Sequence, residues 1–201
     1  MLKTVTVEGL TVREGLDLRS LLVAQPAMRN NNPTSVADQL SVKAVKWGEV
    51  GGKQVLFTAC TTGKVFMYDL VTVGSCGAGA PVDCVQMRED SRQVNALDIN
   101  PHHSTWLLSG SQDGIVRCFD VRQRTETKTG ATFRSKQAFK CHADGVRHVQ
   151  WNPRDGFLFA CATEQGNVIK WDMRKPNAPI LRISAHEKAC SAMAWHPDGV
   201  H

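Results

Sequence analysis

One short pattern occurs three times in the 201-residue sequence: a glycine turn, an alternating stretch, and an aromatic residue followed by aspartate. The copies lie at 61–70, 111–122 and 164–174, with turn glycines Gly63, Gly114 and Gly166 and closing aspartates Asp69, Asp120 and Asp172. Both columns give spacings of 51 and 52 residues. Such a period constrains the fold more than any single motif, because each copy must be one structural unit repeated along the chain.

A second repeated column lies upstream of each copy and consists of Trp47, Ile99, Trp151 and Trp195. The residues that lead into it alternate between apolar and polar, as in "ALDI" and "HVQW", which indicates strands. The runs "WLLSGS" and "FLFACAT" are nearly continuously apolar, which is typical of strands buried on both faces. Asp-Gly and Gln-Gly turns then favour a hairpin. Each unit therefore predicts three antiparallel strands, and a fourth fits the variable stretches, such as 178–184.

Four short strands in a period of 40 to 50 residues, closed by an aromatic–aspartate pair, are typical of a WD-type propeller blade. One such sheet cannot cover both of its own faces, so neighbouring sheets must stack on it. We therefore predict an all-β fold, an incomplete WD40-type β-propeller that forms an open arc. The predicted organisation is an irregular lead-in with a partial blade strand at 1–40, blades at about 41–90, 91–141 and 142–185, and a truncated blade at 186–201.

The units resemble WD-repeat blades, in which a histidine, a serine or threonine, a turn aspartate and a tryptophan are linked by hydrogen bonds. The positions that match this structural network are His142, Thr163, Trp171 and Asp172 in the third unit, Ser109, Asp113, Phe119 and Asp120 in the second, and His186 in the last. Because Phe119 stands where tryptophan is expected and Gln165 where the turn aspartate is expected, we expect partial networks.

Composition restricts the possible chemistry. The seven cysteines are odd in number and include no C-x-x-C pair, so neither a disulfide framework nor paired zinc ligands are predicted. Small buried residues in a reducing compartment, cytosol or nucleus, explain them better. The net charge of +5 is scattered along the chain, which favours a solvated surface over a nucleic-acid interface. We find neither a secretory signal nor an apolar segment long enough for a membrane helix.

No catalytic or nucleotide-binding motif stands out. The segment "HEKAC" at 186–190 resembles the start of a zinc-protease helix, but Cys190 replaces the second histidine and the segment is expected to enter a strand. We therefore predict no enzyme, no metal and no cofactor. The glycine-rich stretch 74–80 is expected to be a flexible loop. The insert 122–136 is expected to be a solvated loop, with a phosphorylated or partner-binding loop as the alternative.

Several segments resemble one family more specifically. The strings "LLSGSQDGIVRCFDVR", "RKPNAPIL" and "AHEKACSAMAWHPDG" are similar to the fungal restriction of telomere capping protein 1 family, and the resemblance covers nearly the whole chain. That family resembles the animal WD-repeat subunit of the lysosomal nutrient-sensing complex. The resemblance implies an N-terminal seven-bladed propeller, a long middle region and a C-terminal zinc domain. This chain holds about three blades and no zinc domain, so we expect a truncated part of the propeller.

The resemblance also implies a function. Family members act as scaffold subunits of the SEA complex, peripheral on the cytosolic side of the vacuolar membrane, and relay amino-acid status to the target-of-rapamycin kinase. The leading hypothesis is thus a non-catalytic interaction module whose partners are other subunits of that complex. A nuclear or telomere-associated nucleic-acid or chromatin adaptor, in the nucleus or cytoplasm, is one alternative. A ubiquitin-ligase subunit is another, provided that the full gene encodes the zinc domain. The sequence does not indicate which face binds partners.

Overall fold

The computed structural model describes residues 3–5, 12–14, 41–69, 84–87, 92–127, 130–141 and 145–200. Within them lie β1 (Lys3–Val5), β2 (Val12–Glu14), β3 (Val42–Val50), β4 (Lys53–Cys60), β5 (Val65–Asp69), β6 (Cys84–Met87), β7 (Val94–Ile99), β8 (Trp106–Ser111), β9 (Ile115–Thr127), β10 (Gly130–Lys140), β11 (Val146–Trp151), β12 (Leu158–Thr163), β13 (Asn167–Asp172) and β14 (Leu181–Ser184). The described residues contain no helix. The predicted loop at 74–80 and most of the lead-in lie outside these residues.

The strands from β3 onward form three four-stranded antiparallel meanders. We call β3–β6 the first sheet, β7–β10 the second and β11–β14 the third. The fourth strand predicted in 178–184 is confirmed by β14, which pairs with β13. One feature was not predicted: β6 and β10 pair in parallel, which joins the first two sheets edge to edge in the order β3-β4-β5-β6-β10-β9-β8-β7. Among the residues described, the strands β1 and β2 pair with each other and with no other strand.

The turn glycines of the repeat have the conformation that the hairpins require. Gly63, Gly114 and Gly166 have φ values of 79°, 77° and 79° and connect the second and third strands of each sheet. This left-handed backbone costs glycine little and other residues more. At Gly166 there is also no room, because a Cβ atom would lie 2.0 Å from the carbonyl oxygen of His186.

The structure corrects the expectation for the insert 122–136, which is not a solvated loop. β9 continues to Thr127, and β10 returns from Gly130 as its antiparallel partner, with Gly130 opposite Thr127. Alternating threonines favour extended backbone here. The buried side chain of Phe133, 1% exposed, anchors the returning strand in the core. The pairing shifts between Phe133 and Gln137, as at a β-bulge.

Two apolar cores lie between successive sheets. The first core contains Val55 and Phe57 of the first sheet and Leu97, Leu107 and Phe119 of the second. The second core contains Leu108, Phe139, Trp151, Phe159 and Trp171, contributed by the second and third sheets. Face-to-face stacking of twisted four-stranded units that do not close into a ring makes this an all-β, incomplete WD40-type β-propeller, as the repeat predicts.

Candidate interaction surface

The inner strands β3, β7 and β11 are linked by side chains at one repeated position. Asp98 accepts a hydrogen bond from the backbone N–H of Trp151 at 2.8 Å, and Gln150 accepts one from the N–H of Trp195 at 3.3 Å. At the same position in β3, Lys46 forms an ion pair with Asp98 at 3.1 Å. The residue that precedes the Trp47/Ile99/Trp151 column therefore links β3 to β7, β7 to β11, and β11 to the segment around Trp195.

The asparagines of the two Asn-Pro turns form a second repeated link. The Asn100 side-chain N–H donates to the carbonyl oxygen of Gly156 at 2.7 Å, while its Oδ1 accepts from the N–H groups of His102 and His103. Asn152 repeats the arrangement one unit later and donates to the carbonyl oxygen of Gly199. Both asparagines are 1% exposed, so these bonds satisfy polar groups that water cannot reach.

The aspartates that close each repeat are neutralised at this same end of the sheets, which we call the turn edge. Asp69 pairs with Lys53, Asp120 with Arg122 and Asp172 with Arg174, each at 2.7 to 2.8 Å. Hydrogen bonds from the arginine two residues on hold the pKa of Asp120 and of Asp172 below the usual carboxyl range. The carboxylates are mostly buried, whereas the Arg122 and Arg174 side chains are 66% and 56% exposed.

Four aromatic rings meet at the turn edge between the second and third sheets. His103 lies 4.3 Å from Trp106, measured between ring centroids, and Phe157 lies 5.9 Å from Trp106. Trp151 lies beneath them, 6.3 Å from Trp106. His103, Trp106 and Phe157 are only partly buried, so they form a surface above the second core.

Two cations cover these rings. Lys136 Nζ is 4.1 Å from the centroid of Trp106, and the Arg174 guanidinium carbon is 5.1 Å from that of Phe157. Both distances allow a cation–π attraction. We call His103, Trp106, Phe157, Lys136 and Arg174 the turn-edge cluster.

The opposite end of the sheets, which holds the glycine hairpins, is polar. Gln112 donates to Glu164 at 2.9 Å, and Glu164 forms an ion pair with Arg147. Asn95 donates to Gln112 and, at 2.8 Å, to the carbonyl oxygen of Val146. In the residues described, polar side chains therefore join the second and third sheets at this end.

The predicted blade-network residues have varied surroundings. Thr163, Ser109 and Phe119 are buried; Thr163 Oγ1 accepts from the Asn167 N–H at 3.3 Å. Asp113 accepts from the Ile115 N–H and pairs with Arg117 at 2.8 Å.

The remaining members lie less centrally or lack a partner. His186 is exposed, with its backbone N–H bonded to Gly166. The indole N–H of Trp171 is buried without a well-formed hydrogen bond in the described part of the chain, and the groups on which it acts are the thiols of Cys141 and Cys161. His142 lies outside the described residues, so the hydrogen-bond network through it stays a prediction.

Five cysteines are free and buried, as composition predicts: Cys60, Cys118, Cys141, Cys161 and Cys190. Burial raises the pKa of Cys60 to about 11 and that of Cys118 to about 12, so both stay protonated thiols. Cys141 and Cys161 lie in the second core with their sulfurs 3.5 Å apart. A hydrogen bond from Cys161 lowers the pKa of Cys141, and the same bond, together with burial, raises the pKa of Cys161.

Sequence reasoning missed the residues that make up this surface. The Asn-Pro pairs at 100–101 and 152–153 indicate turns, but they do not predict the link from each asparagine to the next unit. The only sequence signal for it is that Asn100 and Asn152 occupy equivalent positions. Trp106, Phe157 and Lys136 lie in different units, and no local pattern connects them.

Other kinds of site find no support within the described ranges. They hold no group of three His, Cys, Asp or Glu side chains placed to bind a metal ion. They also contain no helix of the length and apolarity that a bilayer crossing needs.

Comparisons with known proteins agree with this geometry. The family model for "Nucleolar protein 10-like, N-terminal domain" matches residues 56–200. A chain from "Crystal Structure of Mitotic Checkpoint Complex" superimposes with a TM-score of 0.61 at 25% identity, over 79% of this chain and 43% of that one.

Two groups of curated relatives are also similar. Human "GATOR2 complex protein WDR24" is 34% identical over 79% of this chain and 18% of its own length. "Restriction of telomere capping protein 1" of Kluyveromyces lactis is 27% identical over 78% of this chain and 12% of its own length. The chain thus spans less than a fifth of these relatives. It belongs to the Nucleolar protein 10-like N-terminal β-propeller family, with restriction of telomere capping protein 1 and WDR24 among its homologues.

Proposed function

We propose that this chain is a non-catalytic scaffold module that binds other proteins in a nutrient-signalling complex. The observation that carries the proposal is the similarity to relatives named as GATOR2 complex proteins, at 34% identity over 79% of the chain. The fold supports it, because stacked sheets hold their turns in fixed positions while the turns are free to vary in sequence.

The partners in this proposal are the other subunits of the vacuolar SEA complex, through which target-of-rapamycin signalling responds to amino acids. The chain would reach the cytosolic side of the vacuolar membrane through those partners. Its own surface supports a protein partner, because partly exposed aromatic rings and arginines are enriched where proteins bind one another. We propose in addition that the blades span about 41–90, 91–141 and 142–185, followed by a truncated blade at 186–201.

Affinity purification of the full-length gene product from cells, followed by mass spectrometry, tests this function. We expect subunits of the vacuolar complex to be enriched over a purification with the tag alone. Recovery of telomeric or nuclear proteins in their place would contradict the proposal. The matched control is the same protein without residues 41–200, which should lose those partners that depend on the propeller.

A separate measurement distinguishes the nucleic-acid alternative. Neutralising several phosphates makes affinity fall steeply with salt concentration, so an adaptor of that kind would bind DNA or RNA at low salt and release it as salt rises. We expect no binding at low salt. Tight, salt-sensitive binding would favour the adaptor.

A further inference from the structure

The turn-edge cluster combines an apolar surface, formed by the rings of His103, Trp106 and Phe157, with exposed positive charge. His103 lies in the turn between β7 and β8, Trp106 is the first residue of β8, and Phe157 lies in the turn before β12, so the apolar surface spans two sheets. These rings are partly exposed although they lie directly above a well-packed core. The part of the rings that Lys136 and Arg174 leave uncovered is open to an apolar side chain of a ligand.

The charge that faces outward at the cluster is positive. Asp120 and Asp172 are only 2% and 8% exposed, and both oxygens of each are bonded to Arg122 and Arg174 respectively. Asp155 Oδ1 accepts from the Phe157 N–H. The carboxylates are therefore held inward, while the guanidinium groups reach solvent.

Lys136 is the most available of these cations. Its side chain is exposed and lies over the Trp106 ring, and its charge contributes to the lowered pKa of Asp120. Because both oxygens of Asp120 are already bonded to Arg122, a ligand carboxylate can pair with the Lys136 ammonium group at little cost in side-chain entropy.

We infer that the turn-edge cluster is a docking site for an acidic peptide segment that carries one large apolar side chain. The apolar side chain packs on Trp106 and Phe157, while flanking carboxylates pair with Lys136 and with the exposed faces of Arg122 and Arg174. A nucleic-acid strand fits less well, because such ligands need a longer track of cations and stacking rings than this single cluster provides. The inference concerns the chain's own surface and holds whether or not the chain belongs to a vacuolar complex.

Fluorescence anisotropy tests this site with the full 201-residue chain. The probe is a short fluorescein-labelled peptide of glutamates around a central phenylalanine, and two further peptides replace the phenylalanine by serine or the glutamates by lysines. We expect the first peptide to bind. Loss of the apolar anchor should weaken binding about tenfold, and the lysine peptide should not bind.

Lys136→Glu and Lys140→Glu form a matched pair of variants. Both lysines are exposed on β10, but Lys140 pairs opposite Ile115, at the hairpin end of the sheets, far from the cluster. Lys136→Glu should weaken binding of the acidic peptide about tenfold or more, since it turns an attraction into a repulsion. Lys140→Glu should change it less than about twofold, and thermal unfolding checks that both variants fold.

A second measurement does not depend on charge reversal. Peptide binding should change the intrinsic tryptophan fluorescence. Trp106→Phe should abolish most of that change, although phenylalanine keeps an aromatic ring in the apolar surface. No binding by the unmodified chain, or equal loss in both lysine variants, would overturn the inference. So would tighter binding of a single-stranded oligonucleotide that Lys136→Glu also weakens, because the surface would then be a nucleic-acid site.

Discussion

The two interfaces between successive sheets use different forces to join copies of the same repeat. Between the second and third sheets, Asp98 and Asn100 bond to the backbone of the following unit above a core rich in aromatic rings. Between the first and second sheets, the polar link that the described residues show at the equivalent inner-strand position is the ion pair of Lys46 with Asp98. That pair is 44% exposed at the lysine, where solvent screens it.

Gly48 is the reason for the difference. It occupies the position that Asn100 and Asn152 hold in the later units, and it has no side chain to reach across. Ile99 fills the space above it, because a Cβ on Gly48 would lie 2.6 Å from the Ile99 Cδ1 atom. The same repeat position can thus hold two units together either by a buried hydrogen bond or by close apolar contact. Which residue stands there decides what kind of side chain can pack against it from the next unit.

The largest expected effect compares a buried tryptophan of the third sheet with an exposed tryptophan of the first sheet. Trp171 is 1% exposed within the second core, whereas Trp47 on the outside of the first sheet is 60% exposed. Trp171→Ala should lower the free energy of unfolding by about 3–5 kcal/mol because it leaves a cavity, and Trp47→Ala by less than about 1 kcal/mol. Urea denaturation measures both. Equal losses would mean that Trp47 is covered in solution.

Removing the asparagine link breaks the polar interface. Asn100→Ala deletes one bond to Gly156 and two bonds to the backbone of His102 and His103, so we expect a loss of about 2–3 kcal/mol. The exposed Asn177 is the matched control, and its replacement by alanine should cost less than about 0.5 kcal/mol. Faster amide exchange at His102 and His103 would locate the damage; unchanged exchange would contradict the proposed link.

The apolar interface can be tested by adding an atom. Gly48→Ala should destabilise the chain by about 1–2 kcal/mol, because Ile99 must move to admit the new methyl group. Ile99→Val removes the clashing Cδ1 atom, so the double variant should lose less than the sum of the two single variants. Gly51→Ala is the control for backbone strain, because a Cβ at Gly51 would meet nothing within 4 Å but its φ is 60°. Comparing it with Gly48→Ala separates backbone strain from crowding. Strict additivity would contradict the contact.

The smallest expected effect distinguishes the repeated aspartates by pH. Arginine holds the pKa of Asp120 and Asp172 below the usual value of about 3.9, so their contribution is fully present above that pH and is lost as pH falls through the lowered pKa. Arg122→Ala and Arg174→Ala should each reduce stability at pH 7 only slightly, because solvent screens the largely exposed arginines. Thermal unfolding between pH 2 and pH 7 should show a smaller acid-dependent decrease for the double variant than for the unmodified chain.

The regular parts of the fold were predictable from the sequence because their signals are local. Alternation before Ile99 and Trp151 and the glycine turns at Gly114 and Gly166 lie within a few residues of the strands they specify. Because the same weak signals recur in each unit, they support one another. Four strands per unit then predict the strand that the structure has at Leu181–Ser184. The hairpin through 122–136 was missed because its polar composition resembles that of a loop, and the buried anchor Phe133 is a single residue.

The candidate site was not predictable in the same way. Trp106, Lys136 and Phe157 are each ordinary in sequence, and they become a surface only where two sheets meet. Asn100 bonds to a residue 56 positions away, and nothing in the sequence around the equivalent Gly48 indicates that Ile99 packs over it.

The sequence by itself determined the repeating unit, its strands and its turns, because periodicity and glycine conformation act over a few residues. Only the tertiary structure decided which side chains cross from one unit to the next and which rings and cations share the turn edge. Those contacts depend on how separate sheets stack, and stacking is set by the whole of both facing surfaces rather than by any short segment.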